Sequence, residues 1–242
     1  MVSAPSLALA SVAAAVAAAL YAVKQRSLAR APADPAPAAA AVNAWTTKTW
    51  DADELIKHRR SIFPQDYDTS RQVPRAVVEQ MLESANWAPT HARTEPWRFV
   101  VFSSPAARER LGRLEAELYK KMVPPARFLQ KKYDKKVASK LQASHVIAIC
   151  MKRQESENLP ELEEVCAVAA AVQNLHLSAT GHGVGGYWSS GPPIFSSEMK
   201  DFLGLGPKDK CLGLFYVGYP KPGHVATGAR KSIKDKVKWV VE

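Results

Sequence analysis

The sequence predicts one α+β domain in which a mixed, mainly antiparallel sheet is flanked by helices. Short runs of β-branched and aromatic residues, such as residues 145–151, have the length and composition of strands. Residues 161–180 are apolar on most sides, as expected of a helix at the centre of a fold. With 242 residues, of which 47% are hydrophobic and 23% charged, the chain is able to bury a core of this kind.

Each further element follows from a local signal in chain order. Asp51 or Asp53 is suited to cap a first helix, Pro74 to precede a second, and Ser104 with Pro105 to begin a third. The pattern predicts helices at 51–60, 74–85, from 105, 161–180 and 196–203, and strands at 97–104, 145–151, 186–190 and 211–219. The lysine-rich residues 116–142, interrupted by two prolines, are predicted to be exposed helix or loop that covers another part of the molecule.

Two segments precede the predicted domain. Residues 7–23 are uncharged, and as a helix they would reach about 25 Å, which is barely a membrane span. Basic residues follow this run and the first acid is Asp34, so a membrane anchor and an organellar transit peptide, for a mitochondrion or a plastid, both remain open. We therefore divide the chain into an apolar targeting or anchor segment at 1–30, a Pro/Ala-rich linker at 31–44 and a folded domain at 45–242.

The net charge of +10 suits an anionic partner, which is a nucleic acid, an anionic membrane or an anionic cofactor. No basic patch interleaved with aromatic residues supports nucleic-acid binding, and membrane contact is expected only through residues 7–23. The three cysteines, Cys150, Cys166 and Cys211, are widely spaced in apolar runs, which predicts reduced core thiols and no metal site.

Gly181, Gly183 and Gly186 match the spacing of a dinucleotide-binding glycine motif, but the surrounding elements are in the wrong order. That motif follows a strand and opens a helix, whereas here a predicted helix precedes and a predicted strand follows. We interpret Gly181 as the left-handed residue that ends the helix, and the other glycines as points of close backbone approach.

Three clusters of residues are candidates for ligand binding. Arg59, Arg60 and Ser61 provide two guanidiniums and a hydroxyl suited to a phosphate or to ring carbonyls. His91 and Glu95 stand in a polar loop bounded by prolines, where they are able to face the edge of a ligand. The third cluster, residues 181–191, combines small residues with Trp188, which would let a flat ring lie close to backbone N–H groups.

These clusters occur in an order that resembles the nitroreductase family. The blocks are RRS at 59–61, APxxxxxxPW at 88–97, GxGGxWxSG at 183–191 after the long apolar helix, and LFYVGYP at 214–220. They cover the chain from about Trp50 to its end. The loop at Thr90 and His91 is similar to that of the compact bacterial subgroup.

The resemblance implies an intertwined homodimer with FMN at the subunit interface and NADH or NADPH as electron donor. It implies that FMN is bound by Arg59, Arg60, Ser61, Trp188, Ser189, Ser190, Gly191 and Arg230, with His91 and Glu95 reaching over from the partner's loop. It implies more weakly that the nicotinamide lies along Ser178, Ala179, Thr180, Gly181, His182 and Gly183. Many members carry Gln where this chain has Glu95, which as an anion accepts hydrogen bonds but does not donate them.

The activity that the resemblance implies is hydride transfer from NAD(P)H to a small electron-poor acceptor, such as a nitroaromatic or a quinone. The flavin carries this chemistry, so no catalytic side chain is expected. Two other functions remain open: reductive dehalogenation similar to that of iodotyrosine deiodinase, on the same fold, and non-catalytic flavin binding.

Overall fold

A computed structural model describes residues 49–242, so the predicted segments at 1–30 and 31–44 lie outside the described residues. The helices are α1 (Ala52–His58), α2 (Arg75–Asn86), α3 (Pro105–Met122), α4 (Gln130–Gln142), α5 (Glu161–Gly181) and α6 (Ser197–Leu203). The strands are β1 (Trp97–Phe102), β2 (His145–Met151), β3 (Gly185–Ser189) and β4 (Lys210–Gly218). No helix in this part of the chain combines the length and apolarity needed to cross a membrane.

The four strands form an antiparallel sheet in the order β1-β2-β4-β3, which confirms the predicted α+β class. Both faces of the sheet are covered, and β2 is buried along its whole length. Helices α2 and α5 pack on the face that carries Ile147 and Phe215, while α3 and α6 pack on the face that carries Val146 and Tyr216. Helix α4 lies along α3 and also reaches the sheet, since Nζ of Lys140 lies 5.3 Å from the ring centroid of Tyr216.

Local caps explain where the helices begin. The Asp51 carboxylate accepts from the Asp53 N–H at 2.9 Å at the start of α1, and the Ser104 hydroxyl accepts from the Ala107 N–H at 3.2 Å at the start of α3. Ser196 caps α6 in the same way. The lysine-rich region consists of the end of α3, a short 3₁₀ turn at Pro125–Arg127 and α4. Residues of α3 and α4 line a cavity against the sheet.

The prediction for the end of the long helix is wrong by two residues. Gly181 is still helical, His182 is the C-cap, and the left-handed residue is Gly183, with φ of 68°. The reason is a Schellman motif, in which the Val184 N–H donates to the Ala179 carbonyl at 2.8 Å and the Gly183 N–H to the Thr180 carbonyl at 3.0 Å. That bonding pattern requires the positive φ one position beyond the cap.

The cysteine prediction is correct at two positions and wrong at the third. Cys150 and Cys211 are buried and face each other across β2 and β4. Cys166 is exposed on the outer side of α5. This helix is apolar on most of its sides, but the described chain covers only the inner side.

Candidate functional site

Three arginines lie together where the chain leaves α1 and meets β3. Arg59 is the C-cap of α1, and Ser61 then forms a parallel bridge with Gly186 at the start of β3. The pKa of Arg59 is lowered, first by burial and then by the positive charges of Arg60 and Arg230. The C-terminal tail therefore brings Arg230 within electrostatic reach of the Arg-Arg-Ser block, as its proposed part in cofactor binding requires.

His176 on α5 contacts this block through both of its ring nitrogens. Its Nε2 lies 3.2 Å from the Arg60 carbonyl and its Nδ1 lies 3.4 Å from Nη1 of Arg59. Both contacts are satisfied if Nε2–H donates to the carbonyl and Nδ1 accepts from the guanidinium, which is the neutral form of the ring. Burial, and next the charge of Arg59, lowers the pKa of His176 to about 4, so the neutral ring persists at physiological pH.

The charge of the three arginines is not compensated by the described chain. None of them forms an ion pair with a carboxylate among residues 49–242. The tail backbone at Gly228 also lies close to the Arg60 side chain, since a Cβ at Gly228 would lie 2.8 Å from Nε of Arg60. Like charges within electrostatic reach of one another are stabilised by an anion bound among them, so this arrangement fits a phosphate group.

The loop that carries His91 and Glu95 has an unusual backbone. Ala92, Arg93 and Glu95 all have positive φ, at 49°, 55° and 43°, although none of them is glycine. The Thr90 hydroxyl supports this shape by accepting from the Glu95 N–H at 3.2 Å. Backbone of this kind costs about 1–3 kcal/mol per residue and is concentrated at functional sites.

Strand β3 presents different groups on its two faces. Trp188 shares the face of Gly186 and His176, and its indole N–H donates to the Leu212 carbonyl at 3.2 Å. Ser189, Ser190 and Gly191 line a cavity of about 650 Å³ on the other face, between the strand and helices α3 and α4. The predicted ring-lining residues therefore stand at the sheet edge beside a large cavity.

The residues predicted to bind nicotinamide form the C-terminal end of α5 and the turn after it. Ala179 is fully buried, so only its neighbours are available to a ligand. Thr180 and Gly183 line a second cavity of about 350 Å³, which they share with Arg60.

One copy of the chain brings together only some of the predicted site residues. Arg59, Arg60, Ser61 and Arg230 meet near β3, whereas His91 lies at the opposite end of α5, where its Nδ1 is 2.5 Å from Oε2 of Glu163. His176 lies thirteen positions after Glu163 in the helix, so the two residues are about 20 Å apart along α5. Sequence reasoning missed His176, although a histidine within the uncharged stretch 165–181 is a signal that could have found it.

Comparisons with known proteins show the family of the chain. The model of the Nitroreductase family matches residues 56–219. The "Putative NAD(P)H nitroreductase YfhC" of Bacillus subtilis is 30% identical over 169 residues, covering 69% of this chain and 83% of that protein. Iodotyrosine deiodinase 1 of Rattus norvegicus is 24% identical over 205 residues, covering 76% of this chain and 67% of that protein.

Two solved structures share the fold. A nitroreductase-like family protein from Bacillus cereus superposes with a TM-score of 0.67 and 24% identity, covering 81% of this chain and all (100%) of the other. The FMN-dependent nitroreductase NfnB from Mycobacterium smegmatis, solved in complex with NADPH, gives a TM-score of 0.61 with 18% identity, covering 78% and 97%.

Fold and site thus define an α+β protein with an arginine cluster at a sheet edge. The chain belongs to the nitroreductase family, whose model spans more than half of it, and it is a flavoprotein oxidoreductase of that family.

Proposed function

We propose that the chain is an FMN-dependent enzyme that carries hydride from NADH or NADPH to small electron-poor acceptors such as nitroaromatics or quinones. The observation that carries this proposal is the cluster of three uncompensated guanidiniums beside β3 in a chain of the nitroreductase family. A relative on the same fold is described as FMN-dependent and was solved with NADPH.

The arginine cluster fits the phosphorylated flavin better than an unphosphorylated one. Arg59, Arg60 and Arg230 would hold the phosphate, and Ser61 would add a hydroxyl donor. When bound, FMN supplies the two-electron carrier chemistry, so the protein's part is binding, orientation and electrostatics. Guanidinium charge close to the ring's polar edge would stabilise the negative charge of the reduced state.

We propose further that the functional unit is a homodimer, because one copy leaves the site incomplete. His91 contacts Glu163, which lies about 20 Å along α5 from His176 and the arginine that His176 contacts, so a second copy is needed to bring His91 and the arginines to one ligand. The outer side of α5 has no charged residue from 165 to 181, and Leu162 is 71% exposed. Both features are typical of a surface that a partner covers.

The C-terminal tail also supports a dimer. Residues 221–242 form no helix or strand longer than a single 3₁₀ turn, and Trp239 and Val241 are 84% and 88% exposed. Exposed apolar side chains on an extended tail are expected to pack on another surface, which here is a second copy of the chain.

An absorbance spectrum of the purified protein during anaerobic titration with NADH, and separately with NADPH, tests the proposal. We expect bound flavin whose absorbance near 450 nm, a typical value for an oxidised flavin, is bleached by at least one donor and restored by a nitroarene or a quinone. A bound flavin that neither donor bleaches would favour a non-catalytic flavin-binding protein.

A second candidate function is reductive dehalogenation of an iodinated aromatic amino acid. The match to the rat deiodinase over most of the chain favours it. If the reduced protein releases iodide from iodotyrosine faster than it reduces a nitroarene, dehalogenation would be favoured over nitroarene reduction as the function.

A further inference from the structure

The cavity between β3 and helices α3 and α4 has the size of a small-molecule site. Its volume is about 650 Å³, within the range of known ligand pockets. It lies on the sheet face opposite to Trp188 and His176, and no residue of the arginine cluster lines it.

The walls next to the sheet are aromatic. Phe63, Tyr119, Tyr187 and Tyr216 all line the cavity. The rings of Phe63 and Tyr187 have centroids 4.6 Å apart and planes tilted by 53°. Walls of this kind favour a flat aromatic ligand, because ring faces and edges both offer good contacts.

The wall formed by α4 is positively charged. Lys136 and Lys140 both pair with the buried carboxylate of Glu115, so that carboxylate offers no free charge to a ligand. Lys132 and Lys135 also line the cavity, are exposed, and form no ion pair with any residue among 49–242. Four lysines against one glutamate leave a net positive charge, and two of the lysines are available.

The cavity shares three lining residues with the proposed flavin position. Ser189, Ser190 and Gly191, which are proposed to line the flavin ring, also line the cavity. A ligand held against the aromatic wall would therefore lie beside the ring, with its polar end toward α4.

We propose that this cavity is the acceptor site and that Lys132 and Lys135 select aromatic acceptors that carry an anionic group such as a carboxylate. This inference rests on the proposed function and specifies its substrate class. With a nitroarene as acceptor, each first turnover moves one hydride from NAD(P)H and one solvent proton to the nitro group. The products are a nitroso compound, NAD(P)⁺ and water.

Three acceptors that differ mainly in charge test the selection on the holoenzyme: 4-nitrobenzoate, 4-nitrobenzamide and 4-nitrobenzylamine. We compare kcat/KM for each acceptor in the wild type, in the double variant K132Q/K135Q, and in the matched control K120Q/K131Q. The control removes the same total charge, at one lysine of α3 and one lysine of α4 that do not line the cavity.

We expect the preference for the benzoate over the benzamide to fall about tenfold in K132Q/K135Q, since each exposed ionic contact contributes up to about fivefold. The preference should be unchanged in the control, and in the wild type it should weaken as salt is raised. An unchanged preference in K132Q/K135Q would overturn the inference, and so would a loss of flavin from that variant, because the cavity would then hold the cofactor.

Calorimetric titration with benzoate and with benzamide separates this inference from the proposed function. Tighter binding of benzoate to the wild type than to K132Q/K135Q supports the anionic site even if neither nicotinamide bleaches the flavin. Equal binding of benzoate and benzamide to the wild type would contradict the inference while leaving the hydride transfer intact.

Discussion

At the scale of single residues, the site depends on how a neutral histidine and three like charges are held together. The neutral ring of His176 accepts from Arg59 and donates to the Arg60 carbonyl, so it fixes both the side chain of one arginine and the backbone of the next. The Arg-Arg-Ser block could be predicted only from its place in the ordered set of family motifs, because taken alone two adjacent arginines are typical of surface charge. The position of His176 in an uncharged stretch is a sequence signal, but its role could not be predicted, because that role depends on a contact 116 residues away in sequence.

Replacing Arg230 with alanine tests whether the tail contributes to the anion site. We expect the dissociation constant of FMN to rise about fivefold, since an exposed ionic contact contributes about 1 kcal/mol. Quenching of flavin fluorescence measures the affinity. Arg127→Ala, which removes an exposed arginine on the 3₁₀ turn before α4, is the control and should not change it.

His176 makes stability depend on pH in a defined window. The unfolded chain takes up a proton on this residue below about pH 6.5, while the folded chain does so only near its lowered pKa of about 4. The unfolded state therefore binds more protons between these values, and stability falls as pH is lowered through the window, by about 3 kcal/mol in total.

Urea unfolding at pH 6.5, 5.5 and 4.5 measures this dependence. The slope should be smaller in His176→Gln than in the wild type. Equal slopes in the wild type and in His176→Gln would show that His176 is not held neutral.

At the scale of elements, the contact between α3 and α4 sets the shape of the acceptor cavity. A Cβ at Gly112 on α3 would lie 2.9 Å from the Cα of Val137 on α4, so the two helices touch backbone to backbone at this point. The existence and type of most elements could be predicted from period and caps. The packing of α4 on α3 could not, since it depends on the close approach of the two backbones at one glycine of α3.

Gly112→Ala should separate the two helices and lower the free energy of unfolding by about 1–3 kcal/mol, because α4 backbone atoms have little room to move. Gly181→Ala is the matched control, since a Cβ there meets nothing within 4 Å. Alanine in that helix should be neutral or stabilising by up to about 1 kcal/mol. A stability loss in both variants, or in neither, would contradict the described contact.

At the scale of the whole molecule, the two halves of the predicted site lie at opposite ends of α5. The class of fold could be predicted from the sequence because strand and helix periods are local properties. The assembly could not be derived from residue patterns alone. Whether the outer side of α5 and the tail are exposed depends on how the rest of the chain folds.

The double substitution W239S/V241S tests whether the tail stabilises a dimer. Each large apolar side chain that a partner buries contributes about 1.5–3 kcal/mol, so the dimer dissociation constant should rise at least about tenfold. Sedimentation equilibrium measures it, and K234S/K238S serves as the control in the same tail. A wild type that is monomeric at micromolar concentration would contradict the homodimer.

The central claim is that the arginine cluster binds the phosphate of a flavin, and comparing FMN with riboflavin tests it most directly. The two ligands share the ring and the ribityl chain and differ only in the phosphate. If Arg59, Arg60 and Arg230 hold that group, FMN should bind at least about 100-fold more tightly than riboflavin, and the ratio should fall with rising salt. Equal affinity for the two flavins would contradict the account.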